Sequence, residues 1–468
     1  MVLLGVKACP SDEIRLASLG SKMNMSIMPR HLLRLAAAMG ALLLLAFLHM
    51  NFNGEPSPMT EAVRSSNKTA LCTDFDPALV SEKLHSLIEH GGHAYTNDEI
   101  SDFVCTIMNH RMDLTAKLDC STIISSRYEH LQRLPSTSRP QIQYFFALDL
   151  HQAVHVILPL MGSIIQAIRY LGPQHCALSI VEGRSTDGTY GILAGLKTEL
   201  ASLGVPYFLT RSYLDPKAAG EDRITVLAHL RNVALTPLLQ ESQSKTSRLS
   251  RTPSIIFIND IVLCPEDILE LLHQQTTQSA SMSCAFDWNS PPAAPGQPGS
   301  FYDSWVSRSM SGNLFFEVTH DASHWLPDDM FFDHPASASR WAQALPIQVY
   351  SCWGGMVVLD AEPFLSGQIA FRSAEKQEEC FMGEPMTLAR DLWRLGNGRG
   401  RILAVPTVNV AYEYADARAA KEARGYVARI VEHKAYNVDA ERVDWKPSPP
   451  PMVKCMPVFE RQWWVSSV

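Results

Sequence analysis

Residues 254–272 read SIIFINDIVLCPEDILELL, a pattern of strand, polar turn and helix around which the rest of the chain is organised. The apolar run 255–258 is typical of a strand that is buried on both faces. Asn259 and Asp260 follow at once, and Pro265 then opens a helical pattern with acids in its first turn. A strand that ends in a carboxylate and leads into a helix places that carboxylate at the carboxyl edge of a sheet. Open α/β sheets bind their ligands at that edge.

Asp260 has two interpretations. An oxygen ligand set made by Asp260 and Asn259 suits Mg²⁺ or Mn²⁺ that carries a diphosphate. The alternative is a strand-to-helix turn in which Asp260 only caps, and this stretch by itself does not separate the two. We expect Asp260 to be the metal ligand and Asn259 to assist it, whereas Glu266 and Asp267 are helix-start charges.

Strand and helix patterns alternate before and after this stretch. The predicted strands are residues 144–150, 177–182, 205–210, 350–359 and 401–411, and the predicted helices are residues 157–171, 190–203, 224–239 and 385–395. This alternation predicts an α/β fold with a mostly parallel sheet and helices on both faces. We expect the third helix to end early at Pro237, residues 240–252 to form a polar loop, and the tail after residue 448 to be irregular.

The N-terminus contains an apolar run at residues 35–48 that is preceded by several lysines and arginines. Extended to residues 32–52 it predicts a signal anchor with a cytosolic N-terminus. A cleaved signal peptide and a buried helix are the alternatives. The predicted divisions of the chain are a tail at 1–31, the anchor at 32–52, a stem at 53–71, a helical preamble at 72–139, the main α/β domain at 140–415 and a C-terminal extension at 416–468.

The composition of the chain argues against nucleic acid as a partner, and its cysteine count limits the possible disulfides. The 468 residues carry a net charge of −8 and no basic block, so nucleic acid is not expected. Nine of the ten cysteines follow the predicted anchor, and none forms a C-x-x-C pair. A lumen permits disulfides, and an odd count leaves a free thiol or an intermolecular link. The pairing stays open.

Two further motifs are candidates for binding a nucleotide. Residues 182–189, EGRSTDGT, end a strand with Glu182 and supply Ser185 and Asp187, which suits a base and a ribose. The alternative is a tight turn followed by a helix N-cap. Arg231 suits a diphosphate because its fork matches phosphate oxygens, although a lone arginine more often makes a surface ion pair.

Two carboxylates in the second half are candidates for handling a sugar. Asp303 lies in FYDSWVSR (301–308) among aromatic residues, and ordinary packing is the alternative for that segment. Glu384 precedes a predicted helix, where it is either a general base or a charge that stabilises the helix start. The chain has no G-x-S-x-G, H-E-x-x-H, Walker or G-x-G-x-x-G motif.

Together these motifs resemble the fungal α-1,3-mannosyltransferases associated with cryptococcal capsule synthesis. The resemblance covers about residues 141–412. The motifs that carry it are EGRSTDGT (182–189), LRN with Arg231 and Asn232, FIND (257–260), FYDSWVSR (301–308), SCWGGM (351–356), Phe371 with Arg372, Glu384 and PTVNVAY (406–412).

This resemblance implies a Golgi-type, single-pass type II membrane glycosyltransferase whose GT-A-like domain binds a nucleotide sugar. It implies GDP-mannose as donor, Mn²⁺ or Mg²⁺ as metal, a glycan hydroxyl as acceptor, and an α-1,3 linkage made with retention of configuration. The residues expected to act are the metal ligands Asp260 and Asn259, the nucleotide contacts Glu182, Ser185, Asp187, Arg231 and Asn232, and the catalytic candidates Arg231, Asp303 and Glu384.

The sequence departs from the family pattern at three places. Ser309 follows Arg308 where the family has an aspartate, Gly354 replaces an asparagine, and Pro385 follows Glu384 where the family has a cysteine. Two alternatives therefore stay open, namely a different nucleotide-sugar donor and a catalytically silent luminal scaffold. The oligomeric state is not indicated.

Overall fold

The computed structural model describes residues 94–109, 118–132, 140–289, 300–318, 329–375, 379–433, 435–458 and 460–468, with residues 72, 83–84 and 86–89 before them. Its strands are β1 Ile142–Leu150, β2 Cys176–Gly183, β3 Tyr207–Ser212, β4 Leu249–Ile258, β5 Met282–Asn289, β6 Ser300–Phe301, β7 Ile347–Gln348, β8 Met356–Asp360, β9 Ile402–Ala411, β10 Met452–Val458 and β11 Arg461–Ser466. Its helices are α1 Asn97–Met108, α2 Ser125–Gln132, α3 Val154–Leu171, α4 Thr189–Ser202, α5 Arg223–Gln243, α6 Pro265–Thr277, α7 Pro335–Ala342, α8 Glu362–Leu365, α9 Glu384–Leu395, α10 Tyr414–Arg424 and α11 Val427–Val431.

One nine-stranded sheet organises these elements, in the order β3-β2-β1-β4-β8-β5-β9-β7, with β6 paired to β5. The strands β1 to β4 are parallel to one another, and β5 and β9 run in the same direction. β8 is inserted antiparallel between β4 and β5, and the short β6 and β7 are also antiparallel to their neighbours. The predicted α/β class is confirmed, with a sheet that is mixed but mostly parallel.

Helices cover both faces of the sheet, as predicted. Tyr144, Phe146 and Leu148 of β1 lie in the core shared with α3, α4 and α6. Phe145 and Ala147 point to the other face, into the core shared with α5 and α9. Because both faces of β1 are buried, its sequence is a nearly continuous apolar run. Each buried Phe stabilises the fold by about 1.5–3 kcal/mol.

α5 is longer than predicted, because it continues through Pro237 to Gln243. A proline inside a helix costs about 3 kcal/mol. Leu235 and Leu238 beside it are buried against the sheet, and this packing holds the helix together. β4 also begins earlier, because Leu249 pairs with β1. The polar loop predicted at 240–252 is therefore reduced to residues 244–248.

Among the described residues, α3 alone is long and apolar enough to cross a membrane, and 61 % of it is buried within the fold. It packs against α1 and α6 and is a core helix here. The predicted anchor at residues 32–52 and the stem at 53–71 lie outside the described residues.

Four disulfides join distant parts of the described chain: Cys72–Cys105, Cys120–Cys264, Cys284–Cys352 and Cys380–Cys455. Cys176 is buried and has no disulfide partner among the described residues, so it is the cysteine that the odd count leaves over. The second bridge fastens the preamble just before α6. In the preamble, Thr96 and Glu99 form a capping box at the start of α1.

The prediction of an irregular C-terminal tail is wrong. The tail forms an antiparallel hairpin of β10 and β11. Cys455 of β10 is bonded to Cys380, and the Lys454 N–H donates to the Gly312 carbonyl. These tertiary links hold an isolated two-stranded ribbon, which would be marginally stable by itself.

Candidate active site

A cavity of about 980 Å³ opens where β1, β4 and β9 end. Five carboxylates line it: Asp149, Asp222, Asp260, Asp303 and Glu384. Two guanidinium groups, those of Arg223 and Arg231, also line it. The placement of Asp260 at the carboxyl edge of the sheet is as the sequence predicted. Since carboxylates outnumber cations in this lining, the cavity favours a bound cation.

Asp260 is the second residue after β4 and is partly buried at the cavity wall. Burial raises the pKa of its carboxyl, while its own backbone N–H and the nearby His155 and His151 lower it. In the part of the chain that the structure describes, no three His, Cys, Asp or Glu side chains are grouped as a metal cage. The donor set therefore fits an ion held by one or two carboxylates that takes its other ligands from a substrate.

Asn259 is held by protein groups at both ends of its amide. Its Oδ1 accepts from the Trp353 indole N–H at 3.2 Å, and its Nδ2 donates to the Tyr412 hydroxyl at 3.3 Å. Its backbone N–H donates to Gly355 at 2.9 Å. This geometry makes Asn259 a positioning residue for Trp353 and Tyr412, and direct contact with a metal stays a prediction.

Arg231 is buried on α5 rather than placed in a surface ion pair. Its guanidinium lies 3.9 Å from the Trp353 ring centre and close to Phe257 and Phe371. Its Nε contacts Glu384 Oε1 at 2.8 Å. Its Nη1 has no hydrogen-bond partner, although leaving a buried donor unpaired costs about 1–3 kcal/mol. A buried donor of this kind at a cavity wall indicates a site for an anionic ligand.

Glu384 is the first residue of α9 and is buried beside Arg231. One carboxylate oxygen of Glu384 is paired with Arg231 Nε, and this contact orients the guanidinium of Arg231. Asn232 has a similar indirect role. Its amide bonds both backbone groups of Phe371, at 2.8 and 3.0 Å, and so holds the Phe371 ring near Arg231. Direct contact of either residue with substrate stays a prediction.

Asp303 starts a turn after β6 and is partly exposed to the cavity. Its Oδ2 accepts from the Gly354 N–H at 2.8 Å, and its own N–H donates to Asp287 Oδ1 at 3.1 Å. Burial raises the pKa of Asp303 to about 6, the Gly354 N–H and Arg231 lower it, and Glu384 raises it. The carboxylate is therefore ionised at neutral pH and faces the cavity.

Arg308 joins the segments that carry Asp303 and Glu384. It is fully buried, and its guanidinium donates to backbone carbonyls of Lys454 and of Ser304 at 2.6 and 3.0 Å. It also contacts Met382 Sδ, two residues before Glu384. Burial lowers its pKa to about 9. Arg308 thus fixes the relative position of the turn, the loop and β10.

The loop after β2 lies beside the cavity and does not line it. Glu182 is fully buried, its Oε1 accepts from the Ser185 N–H at 2.7 Å, and its Oε2 has no hydrogen-bond partner. Asp187 caps two helices, since it accepts from the Val154 N–H at 3.0 Å and from Thr189. The Ser185 hydroxyl accepts from the Gln152 N–H at 2.9 Å. Nucleoside contacts by these residues stay predictions.

Three residues at the carboxyl edge were missed by sequence reasoning: Asp149, Asp287 and Tyr412. Burial raises the pKa of Asp149 to about 7, with Arg231 lowering it and Asp260 and Glu384 raising it. The available signal was an aspartate inside an otherwise apolar strand, in YFFALDL (144–150) and again in CAFDW (284–288). A charged residue in such a run has to be paired or functional.

Comparison with known proteins identifies the family. Residues 143–391 match the family described as cryptococcal mannosyltransferase 1. The chain is 32% identical over 341 residues to alpha-1,3-mannosyltransferase CMT1 of Cryptococcus neoformans var. neoformans serotype D, which covers 69% of this chain and 70% of that protein.

Two solved structures show weaker likeness. One is Staphylococcus aureus TarS 1–349, at 12% identity and a TM-score of 0.31, covering 58% of this chain and 60% of that one. The other is mannosyltransferase PcManGT from Pyrobaculum calidifontis in complex with GDP-Man and Mn²⁺, at 11% identity and a TM-score of 0.31, covering 61% and 62%. At these TM-scores neither likeness supports a statement about the fold or the function of this chain. On the family match and the extent of the identity to CMT1, the chain belongs to the cryptococcal mannosyltransferase 1 family and is a glycosyltransferase of the mannosyltransferase class.

Proposed function

We propose that the protein transfers mannose from GDP-mannose to a hydroxyl of a glycan, through a GT-A type catalytic domain at residues 140–415. The new linkage is α-1,3 and forms with retention of configuration. One observation carries the proposal: a buried, unpartnered guanidinium donor and a carboxylate line the same cavity. Arg231 Nη1 and Asp260 are those two groups. Together they suit a diphosphate accompanied by a divalent cation.

The donor diphosphate lies between Arg231 and Asp260 in this proposal. Asp260, assisted by Asn259, would hold Mn²⁺ or Mg²⁺, which supplies Lewis-acid stabilisation of the charge on the leaving phosphate when bound. Arg231 donates to the phosphates through Nη1 while its Nε stays on Glu384. The Trp353 ring against the guanidinium excludes water from it and strengthens that hydrogen bond.

The nucleoside extends from the cavity toward the end of β2. β2 is separated from β4 only by β1, a distance of about 10 Å at the usual strand spacing. Glu182 offers one buried oxygen with no hydrogen-bond partner, which suits the N–H groups of a guanine base. Ser185 and Asp187 hold the surrounding loop against the start of α3.

The acceptor approaches from the side of Asp303. Its hydroxyl donates a hydrogen bond to the Asp303 carboxylate, which orients the oxygen toward the anomeric carbon of mannose. A bond forms between that oxygen and the anomeric carbon, and the bond from this carbon to the phosphate oxygen breaks. The electron pair leaves with GDP, and the hydroxyl proton goes to the departing phosphate oxygen.

The proposed location is the Golgi membrane, with the catalytic domain in the lumen and the chain anchored through residues 32–52. Four disulfides among the described residues support an oxidising compartment. The sequon at Asn67 is compatible with a luminal stem.

The departures from the family pattern are compatible with an active enzyme. Gly354 has φ of +64°, and a Cβ there would lie 1.9 Å from the Ala285 carbonyl oxygen, so this backbone requires glycine. Pro385 lies in the first turn of α9, where its missing N–H costs no helix bond. No observation at these positions favours a silent scaffold.

Release of GDP from GDP-mannose tests the proposal, with methyl α-mannoside as acceptor, Mn²⁺ present, and other nucleotide sugars in parallel. GDP-mannose is expected to be the preferred donor, and Asp260→Ala is expected to lose roughly a hundredfold in rate or more. Calorimetry gives an independent readout, since Asp260→Ala should also weaken binding of Mn²⁺ in the presence of GDP.

Asp360→Asn is the matched control, because Asp360 ends β8 away from the cavity and pairs with Arg399. It should keep both activity and Mn²⁺ binding. Equal Mn²⁺ binding by the wild type and Asp260→Ala would remove the metal role. Preference for another nucleotide sugar would replace GDP-mannose as the donor.

A further inference from the structure

Asp287 is a carboxyl group with no solvent exposure, placed near the end of β5 between Phe286 and Trp288. The hydrogen bonds that reach it come from neutral groups. Tyr412 donates to its Oδ2 at 3.1 Å, and the Asp303 N–H donates to its Oδ1 at 3.1 Å. A buried carboxylate is costly unless it is paired, so a position of this kind calls for a specific role.

A chain of hydrogen-bond donors starts at Trp353, passes through Asn259 at the end of β4 and ends on Asp287. The Trp353 indole donates to Asn259, Asn259 donates to the Tyr412 hydroxyl, and Tyr412 donates to Asp287. The three distances are 3.2, 3.3 and 3.1 Å. Each group in the chain has its orientation fixed by the next. The chain thus ties the residue before Asp260 to Asp287.

Asp303 is bonded to Asp287, the last member of this chain, and also to Gly354. Asp287 accepts from its backbone N–H, and the Gly354 N–H binds its Oδ2 at 2.8 Å. Only the remaining part of the Asp303 carboxylate is available to the cavity. The orientation of that carboxylate therefore depends on Asp287 as well as on Gly354.

The two carboxyl groups influence each other's protonation. Burial and the charge of Asp303 raise the pKa of Asp287 well above its usual range, whereas that of Asp303 rises only to about 6. The charged and titratable groups that face the pair are Tyr302, Tyr412, Arg231 and Glu384, with Arg223 and Asp260 beyond Tyr302. Of the two carboxyl groups, Asp287 is therefore the one that favours the protonated form more strongly.

We infer that Asp287 is a positioning residue that holds Asp303 in the orientation that accepts the hydrogen bond of the acceptor hydroxyl. This inference rests on the proposed transferase function. It assigns catalysis to Asp303, and it gives Asp287 no contact with substrate. The inference includes a protonated Asp287, for which an amide is the nearest replacement. The amide oxygen still accepts from the Asp303 N–H, and the NH₂ group takes the place of the oxygen that faces Tyr412.

Three variants separate these roles. Asp287→Asn keeps a group of the same shape without a charge, Asp287→Leu keeps the branched shape in a bulkier apolar side chain without hydrogen bonds, and Asp303→Asn removes the charge that faces the cavity. Asp360→Asn is the control for an aspartate at a strand end outside the site. Rates and acceptor KM are measured for transfer from GDP-mannose to methyl α-mannoside, and the dissociation constant of GDP is measured by calorimetry.

Asp287→Asn is expected to stay within roughly threefold of the wild-type kcat and to keep an acid limb near pH 6. Asp287→Leu is expected to lose roughly tenfold to a hundredfold in kcat/KM for the acceptor, with GDP binding unchanged. Asp303→Asn should lose roughly a hundredfold. A loss in Asp287→Asn as large as that in Asp303→Asn, or wild-type behaviour of Asp287→Leu, would overturn the inference.

A second measurement does not need activity. The infrared difference spectrum of the wild type minus Asp287→Asn should contain the C=O stretch of one protonated carboxyl at neutral pH, because the contribution of Asp149, whose pKa is raised to about 7, is common to both proteins. This band in the difference spectrum supports the inference, and its absence overturns it. If the wild type transfers no mannose, the proposed function fails, and the infrared result still decides whether Asp287 carries the proton.

Discussion

Replacement of Gly354 by alanine tests the backbone that holds the site. Gly354 has φ of +64°, and a Cβ there would lie 1.9 Å from the carbonyl oxygen of Ala285. Because that oxygen belongs to β5, the clash cannot be relieved by rotating a side chain. The strand that would have to move is the one that carries Asp287. The Gly354 N–H also binds Asp303, so the substitution should disturb both carboxyl groups.

The expected cost has two parts. A left-handed backbone costs a residue with a side chain about 1–2 kcal/mol. Overpacking against the β5 backbone adds about 1–3 kcal/mol, which makes a total of about 2–5 kcal/mol. Gly367→Ala is the matched control, because Gly367 has φ of +71° and no atom within 4 Å of the added Cβ. Only the first part applies to it.

Urea unfolding of both variants, followed by tryptophan fluorescence, measures the two costs. We expect Gly354→Ala to lose about 1–3 kcal/mol more than Gly367→Ala. We also expect it to lose transfer activity, which the control keeps. Equal free energies of unfolding for the two variants would refute the steric argument. A Gly354→Ala variant within about 0.5 kcal/mol of the wild type would refute the backbone argument as well.

Two further predictions concern buried ionic groups. Arg231→Lys keeps the charge but loses the planar fork over Trp353, so GDP binding measured by calorimetry should weaken roughly tenfold to a hundredfold; unchanged affinity would exclude Arg231 from the diphosphate site. Burial alone would raise the pKa of Glu441, but the nearby His273 and a hydrogen bond from Arg127 lower it to about 2. Its carboxylate therefore stabilises the fold above its usual pKa of 4.5, and this stability is lost as the pH falls toward 2. Glu441→Gln should flatten the acid limb of urea stability measured against pH, and an unchanged limb would contradict this.

The first half of the fold was predictable from local pattern. β1, β2, β3 and β4 are apolar runs separated by helical periodicity, and each was expected at nearly its observed place. α9 and β9 were also expected. The main differences arose at Pro237, where packing of neighbouring leucines on the sheet outweighs a local helix-breaking signal. A local pattern cannot report that packing.

The candidate site was predictable only in part. Arg231, Asp260 and Asp303 line one cavity, as residues of a single site should. Asp149 and Asp287 were missed because a lone aspartate in an apolar strand has no distinctive spacing. A helix N-cap within residues 182–189 was one of the two interpretations of that motif, but the bond from the Val154 N–H to Asp187 was not foreseen, since it depends on how the end of β2 meets the start of α3.

The alternation of strands and helices and the carboxylate at the end of β4 follow from the sequence, because periodicity and chain order are local properties. The odd number of cysteines after the predicted anchor is likewise a property of the sequence. The insertion of β8 between β4 and β5 is visible only in the tertiary structure, and it places the Gly354 N–H against Asp303. It also decided the disulfide pairs and the contact of Asp287 with Tyr412. These contacts join residues far apart along the chain, and the order of strands in the sheet brings them together.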